Sequence, residues 1–330
     1  MAQTKARRMR ELLEKGAVVS PGVFDGYSAR LVEKMGFQAC SSTGAGLANS
    51  RLSQPDVGIM TLHENAEACS RFANTISIPM MADADTGYGN AVTFYHTVQY
   101  FEQAGVVGVN VEDQVSPKRC GHMRGKALID AREMAKKIEA GVKAKKDPDF
   151  IINARTDAIA VEGIEGAIRR AKLYLAAGAD MVYADAIETE DQMRRFCGAV
   201  APAWVSINMG FGIRSRPTTP TLSVERLAEI GFRRITLARM LPAAAIMGMK
   251  RALEIMQESV RTGEVHDRPD LLVGIEEITD LMGYAFINQL ESEFSLEDDL
   301  RQRYKGERAD FVVRGAGIRR PADMVRLVRS

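Results

Sequence analysis

Short apolar runs alternate with longer amphipathic stretches through most of this chain, and that alternation limits the fold more than any other feature. Eight runs read as strands, at 17–19, 37–41, 78–82, 106–111, 150–153, 181–183, 204–207 and 235–237. Helical patterns fill the intervals, at 28–35, 62–74, 91–104, 131–144, 164–177, 190–197 and 224–230. Repeated strand-then-helix order calls for a parallel sheet with right-handed crossovers. Several strands are apolar throughout, as they must be where helices cover both faces. Glycine closes helices just before the next strand at Gly36, Gly105, Gly178 and Gly231. Eight such units predict an α/β fold, a (β/α)8 TIM-type barrel; a doubly wound open sheet is the alternative.

The catalytic barrel is expected over 1–265, a helical oligomerisation arm over 266–300 and a C-terminal tail over 301–330. A long helix follows Leu241, running to about Val260. The basic N-terminal segment lacks the apolar core of a secretory signal and reads as a first helix capping the fold. Lys and Arg number 44 against 43 Asp and Glu, a net charge of +1, which argues against a nucleic-acid partner. No apolar run approaches the ~20 residues of a membrane span. The four cysteines, Cys40, Cys69, Cys120 and Cys197, form no C-x-x-C pair and read as reduced thiols of a cytoplasmic protein. There is no H-E-x-x-H, so a zinc site is not expected.

Barrel enzymes place their chemistry at the C-terminal ends of the strands. Acidic residues stand there after the third, fourth and sixth runs: Asp83 and Asp85, Glu112, and Asp185. Residues i and i+2 of a strand share a face, so Asp83 and Asp85 can point into one site. Paired carboxylates repel unless a cation or proton intervenes, and hard oxygen ligands suit Mg2+ or Mn2+. Loop hydrogen bonding by the same aspartates is the alternative. Thr43-Gly-Ala-Gly46 fails as a dinucleotide fingerprint, because Asn49 stands at the third glycine position. It reads better as a turn whose amides bind a carboxylate or phosphate. After Glu112 comes Ser116-Pro-Lys-Arg-Cys-Gly-His-Met-Arg-Gly125, long enough for a mobile lid. Lys118, Arg119 and His122 flank Cys120 there and should ease loss of its proton, although a lone cysteine is often only a core filler.

Asp83-Ala-Asp-Thr-Gly-Tyr-Gly89, Val111-Glu-Asp-Gln114 and Lys118-Arg-Cys-Gly-His122 resemble the motifs of the isocitrate lyase and phosphoenolpyruvate mutase superfamily. The cysteine-containing element resembles its carbon–carbon lyase branch, that of 2-methylisocitrate lyase and 2,3-dimethylmalate lyase. The resemblance implies a barrel whose last helices swap between subunits of a homotetramer, a dimer of dimers. It implies Mg2+ held by Asp83 and Asp85, with Glu112 and Asp56 in the outer shell. Thr43, Gly44 and Ala45 would hold a substrate carboxylate, and Gly121, His122 and Asn208 the product-side carboxylate. Cys120 would be the general acid, near Lys118, and Arg155 would steady the developing negative charge.

Departures from the methylisocitrate lyase pattern narrow the substrate that the resemblance implies. Ser41 stands where a tyrosine is common, Asp185 where a glutamate is expected, and Met247 where an arginine is expected. A small-molecule dicarboxylate with an alkyl substituent then fits better than a tricarboxylate. Oxaloacetate-hydrolysing members tend to carry serine in place of Pro242. Hydrolysis or decarboxylation of oxaloacetate is the in-class alternative, followed by phosphonate mutase or hydrolase chemistry, against which Cys120 counts. A binding protein on the same fold is the reading from another class.

Overall fold

The computed structural model describes residues 3–120, 123, 125–212, 218–296 and 298. Eight parallel strands close into a barrel in sequence order: β1 Val18–Val23, β2 Cys40–Ser42, β3 Met80–Asp83, β4 Gly108–Glu112, β5 Ile151–Thr156, β6 Met181–Ala184, β7 Trp204–Asn208 and β8 Phe232–Leu237. β8 returns to pair with β1, with Val18 opposite Arg234 and Ser20 opposite Thr236. Closure removes every sheet edge and rules out the open-sheet alternative.

Helices α1 Lys5–Lys15 to α9 Val224–Ile230 lie within this unit: α2 Gly26–Lys34, α3 Gly44–Arg51, α4 Leu62–Thr75, α5 Ala91–Gln103, α6 Ala131–Ala144, α7 Ile159–Ala176 and α8 Glu190–Val200 complete the set. α1 behaves as the capping helix its sequence suggests. Thr4 caps it, and its buried Met9 and Leu13 join Val18, Met81, Ile151 and Met181 in one apolar cluster. Those residues begin or precede the C-terminal halves of their strands, so the cluster seals the N-terminal end of the barrel. The opposite end is left for polar groups.

Three elements differ from the expectations. The presumed turn at 43–46 is the first turn of α3, capped by the Thr43 side chain. α7 starts before residue 164, with a break at Gly163, whose φ of 69° falls in the left-handed region. β8 starts at Phe232, three residues earlier than its apolar run suggested.

The chain divides into two compact units, Met1–Ala243 and Ala244–Ser330, the division falling inside α10 Met240–Thr262. The second unit holds the rest of α10, α11 Ile275–Leu281 and α12 Tyr284–Phe294. The expected tail at 301–330 lies outside the described residues. Among the described residues, no helix is long and apolar enough to cross a membrane.

Candidate active site

The C-terminal ends of the strands carry a dense set of opposite charges. At the end of β3, Asp83 accepts hydrogen bonds from two backbone amides. Gly44 N donates to Oδ2 and Asp85 N to Oδ1, each across 3.2 Å. A Cβ on Gly44 would stand 2.7 Å from Asp83 Oδ2, so only glycine lets the start of α3 approach this closely. The helix N-terminus brings unpaired amides and the positive end of its dipole to the same place. Thr43, Gly44, Ala45 and Asp83 are thus brought together.

Asp85 is buried, with φ of 47°, a left-handed conformation that Asp tolerates better than most residues. Its Oδ1 lies 2.9 Å from Lys118 Nζ, and the same ammonium binds Asp56. Burial pushes the Asp85 carboxyl up to about 6, against the pull of Lys118, and neighbouring Asp83 and Asp56 push the same way. Burial opposes the charge on Lys118, but Asp85, Glu112 and Asp56 together hold its pKa well above the usual lysine value.

A second cluster surrounds Arg155 on β5. Its Nε and Nη2 grip Asp157 as a fork at 2.8 and 3.0 Å. Glu112 Oε2 at the end of β4 lies 3.2 Å from Nε, and Asp185 Oδ2 after β6 lies 3.0 Å from Nη2. Lys126 adds a further cation, 2.7 Å from Asp157 and 3.6 Å from Asp185. Burial raises Glu112 well above the usual carboxylate range, with Arg155 pulling it down. Tyr183 packs its ring under the Arg155 guanidinium, 5.5 Å to the ring centre, and its hydroxyl bonds Asp185.

Between the clusters lies a cavity of about 50 Å³, lined by Gly22, Ser41, Thr43, Asp83, Asn110, Arg155 and Asn208 among others. Asn208 Oδ1 accepts from Ala238 N and Thr236 Oγ1, each across 3.3 Å.

Cys120 is buried, and Arg239 Nη2 donates to its Sγ across 2.7 Å. Arg239 follows Ala238, a lining residue of the cavity, so the thiol is tied to the cavity's β8 side. Sequence reasoning looked to Lys118, Arg119 and His122 for the cation beside this thiol. The structure commits Lys118 to Asp56 and Asp85, and Arg239 supplies the guanidinium. Gly121 and His122 lie outside the described residues, as do residues 213–217 of the insertion after β7. Sequence reasoning also passed over Lys126, Tyr183 and Asp157. The Arg155–Asp157 pair has an i, i+2 spacing that could have revealed it.

Among the described residues, no three His, Cys, Asp or Glu side chains converge as a complete metal site. Asp83 nevertheless fits a hard cation. It faces the cavity, its carboxylate accepts from the backbone amides of Gly44 and Asp85, and no side-chain cation lies within ion-pair distance of it among the described residues. Mg2+ typically takes one or two carboxylates and fills its remaining positions with water and substrate, which suits Asp83 with Asp85 beside it.

Comparison with known proteins places this arrangement among relatives. The family model for phosphoenolpyruvate phosphomutase matches residues 9–257. A 2,3-dimethylmalate lyase of Eubacterium barkeri is 37% identical over 292 residues, covering 88% of this chain and 98% of that protein. A 2-methylisocitrate lyase of Aeropyrum pernix is 37% identical, covering 91% and 94%. The solved 2,3-dimethylmalate lyase superposes with a TM-score of 0.81 at 31% identity, over 89% of this chain and 97% of that one. A phosphonopyruvate hydrolase solved with oxalate and Mg++ gives 0.78 at 26% identity, over 88% and 99%.

The thiols should differ sharply in reactivity. Burial pushes Cys69 and Cys197 each up to about 12 and holds Cys40 well above the usual thiol value. Iodoacetamide at about pH 8 should therefore label Cys120 first, and Arg239→Met should slow that labelling by about tenfold. Mass spectrometry showing equal labelling of the other three, or an unchanged rate in the variant, would contradict this geometry.

Proposed function

From its membership of the phosphoenolpyruvate mutase/isocitrate lyase superfamily, to which this chain belongs, we propose that it is a Mg2+-dependent carbon–carbon lyase. Its substrate would be a 2-hydroxy dicarboxylate of the 2-alkylmalate or methylisocitrate type. The products would be a 2-oxo acid, such as pyruvate, and a carboxylate. The observation that carries this reading is a cysteine with a guanidinium partner, tied to a cavity that pairs acidic residues with an arginine.

Asp83 and Asp85 would hold the metal, with Glu112 and Asp56 acting through its water shell; Mn2+ has the same ligand preference. When bound, Mg2+ supplies Lewis acidity to the substrate's hydroxyl and carboxylate oxygens. Every other contribution comes from the chain. The turn of Thr43, Gly44 and Ala45 at the start of α3 holds a substrate carboxylate, Gly44 serving by its close approach to Asp83 and Thr43 by capping the helix. As the 2-hydroxyl gives its proton to water, its oxygen forms the C2=O bond of the 2-oxo acid, the C2–C3 bond breaks and that electron pair passes to C3, the departing carboxylate-bearing carbon. Arg155, fixed by Glu112, Asp157 and Asp185, presents preorganised positive charge to the enolate that forms. Cys120 then donates its proton to that carbon, and Arg239 stabilises the thiolate left behind. Asn208, with Gly121 and His122, would hold the product-side carboxylate.

Assembly as a homotetramer is part of the same proposal. α10, α11 and α12 contain no buried residue, and Leu253, Val260 and Phe294 are exposed in the single chain. Apolar surface of this extent calls for cover by a neighbouring subunit.

Cys120→Ser should lose about 10²- to 10⁴-fold in kcat while unfolding at the same temperature as the parent. Turnover in D2O should place one deuterium on the carbon released from C2, and EDTA should abolish turnover until Mg2+ is restored. A serine variant of near-parental rate would refute the role of Cys120. Sedimentation equilibrium should give four chain masses; a single chain mass would contradict the tetramer.

A further inference from the structure

β8 delivers an arginine to the interior of the barrel that the reaction as described does not use. Arg234 is 1% exposed. Its Nη1 donates to Asn110 Oδ1 across 3.1 Å and its Nη2 to Ser41 Oγ across 2.5 Å, while its Nε has no hydrogen-bond partner. Among the described residues, no carboxylate lies within ion-pair distance of it. Burial draws Arg234 down to about 10, with Tyr183 and Asp83 opposing, so it stays cationic at neutral pH. Its two acceptors anchor a polar layer across the barrel. Ser41 Oγ shares a hydrogen bond with Ser20 Oγ at 2.8 Å, and Asn153 Nδ2 donates to both Asn110 Oδ1 and Ser206 Oγ at 2.8 Å.

A buried, unpaired charge is costly, and apolar replacements of buried charges are often neutral or stabilising. The position of Arg234 says what would repay that cost. Ser41 and Asn110, its two partners, line the cavity that holds Asp83 and Arg155. A cation one side-chain layer from the cavity, screened by little water, attracts an anion placed there.

We propose that Arg234 is a positioning residue that selects doubly charged substrates: it orients Ser41 and Asn110 toward the cavity and supplies the buried positive charge that a substrate carboxylate neutralises. This rests on the dicarboxylate lyase reading and extends it to the basis of charge selectivity.

The test is calorimetric titration of oxalate and of pyruvate, each with MgCl2, into the parent protein, Arg234→Met and Arg234→Lys. Thermal unfolding is measured on the same samples without ligand. Oxalate affinity should fall at least about tenfold in the methionine variant, pyruvate affinity should fall less, and lysine should restore part of the loss. The unliganded methionine variant should unfold at the parental temperature or above it. In turnover, KM should rise more than kcat falls. Oxalate binding within twofold of the parent, or a lowered unfolding temperature with affinity retained, would reduce Arg234 to a structural role and overturn the inference. Should the methionine variant not fold, Ser41→Ala removes one of the two links and should still weaken oxalate binding, and unchanged affinity there overturns the inference equally. A parent protein that binds neither anion would overturn the lyase reading and this inference together, whereas equal binding by parent and variants overturns the inference alone.

Discussion

Three carboxylates close on one guanidinium at the end of β5, and the site is organised around that cluster. Glu112, Asp157 and Asp185 come from the ends of β4, β5 and β6, so Arg155 ties three neighbouring strands together where the barrel opens. These buried charges are paired with one another, and the pairing fixes their geometry. Lys118 performs a similar service for Asp56 and Asp85. Asp83 is left facing the cavity with backbone donors, where hard-cation chemistry would complete it. One end of the barrel is sealed by the apolar side of α1, and the other is held open by charge.

The fold was largely legible in the sequence because parallel strands buried on both faces must be apolar, and such runs stand out. The exceptions have physical reasons. Gly44 and Gly46 are weak helix formers, so the sequence suggests a turn at the start of α3; its helix depends on the Thr43 cap and on packing. The φ of Gly163 interrupts the periodicity of α7, and the expected start fell just beyond it. Arg233 and Arg234 masked the beginning of β8, because charge is not expected inside a barrel strand. That omission removed from view Arg234, an arginine that the barrel interior buries with no carboxylate within ion-pair distance among the described residues.

The site was legible to the extent that its residues lie close in sequence. Asp83 with Asp85, and the segment that carries Lys118 and Cys120, announce themselves through spacing and composition. The partner of Cys120 does not: Arg239 lies more than a hundred positions away and meets the thiol only through barrel closure. The binding of Lys118 to Asp56 is equally a product of the fold. Sequence neighbours suggest a thiol eased by Lys118, Arg119 and His122; the folded chain pairs Lys118 with acids and brings the Arg239 guanidinium to the thiol. The near-zero net charge therefore conceals a local division of labour, acids where a cation would bind and buried arginines where an anion would.

Product analysis across a substrate panel tests the central claim most directly. The protein would be incubated with Mg2+ and, separately, 2-alkylmalates, methylisocitrate, oxaloacetate and phosphonopyruvate, with products identified by NMR. The account predicts a 2-oxo acid and a carboxylate in equal amounts from at least one 2-hydroxy dicarboxylate. Oxalate from oxaloacetate or phosphate from phosphonopyruvate as the sole product, or no turnover of any compound, would contradict it.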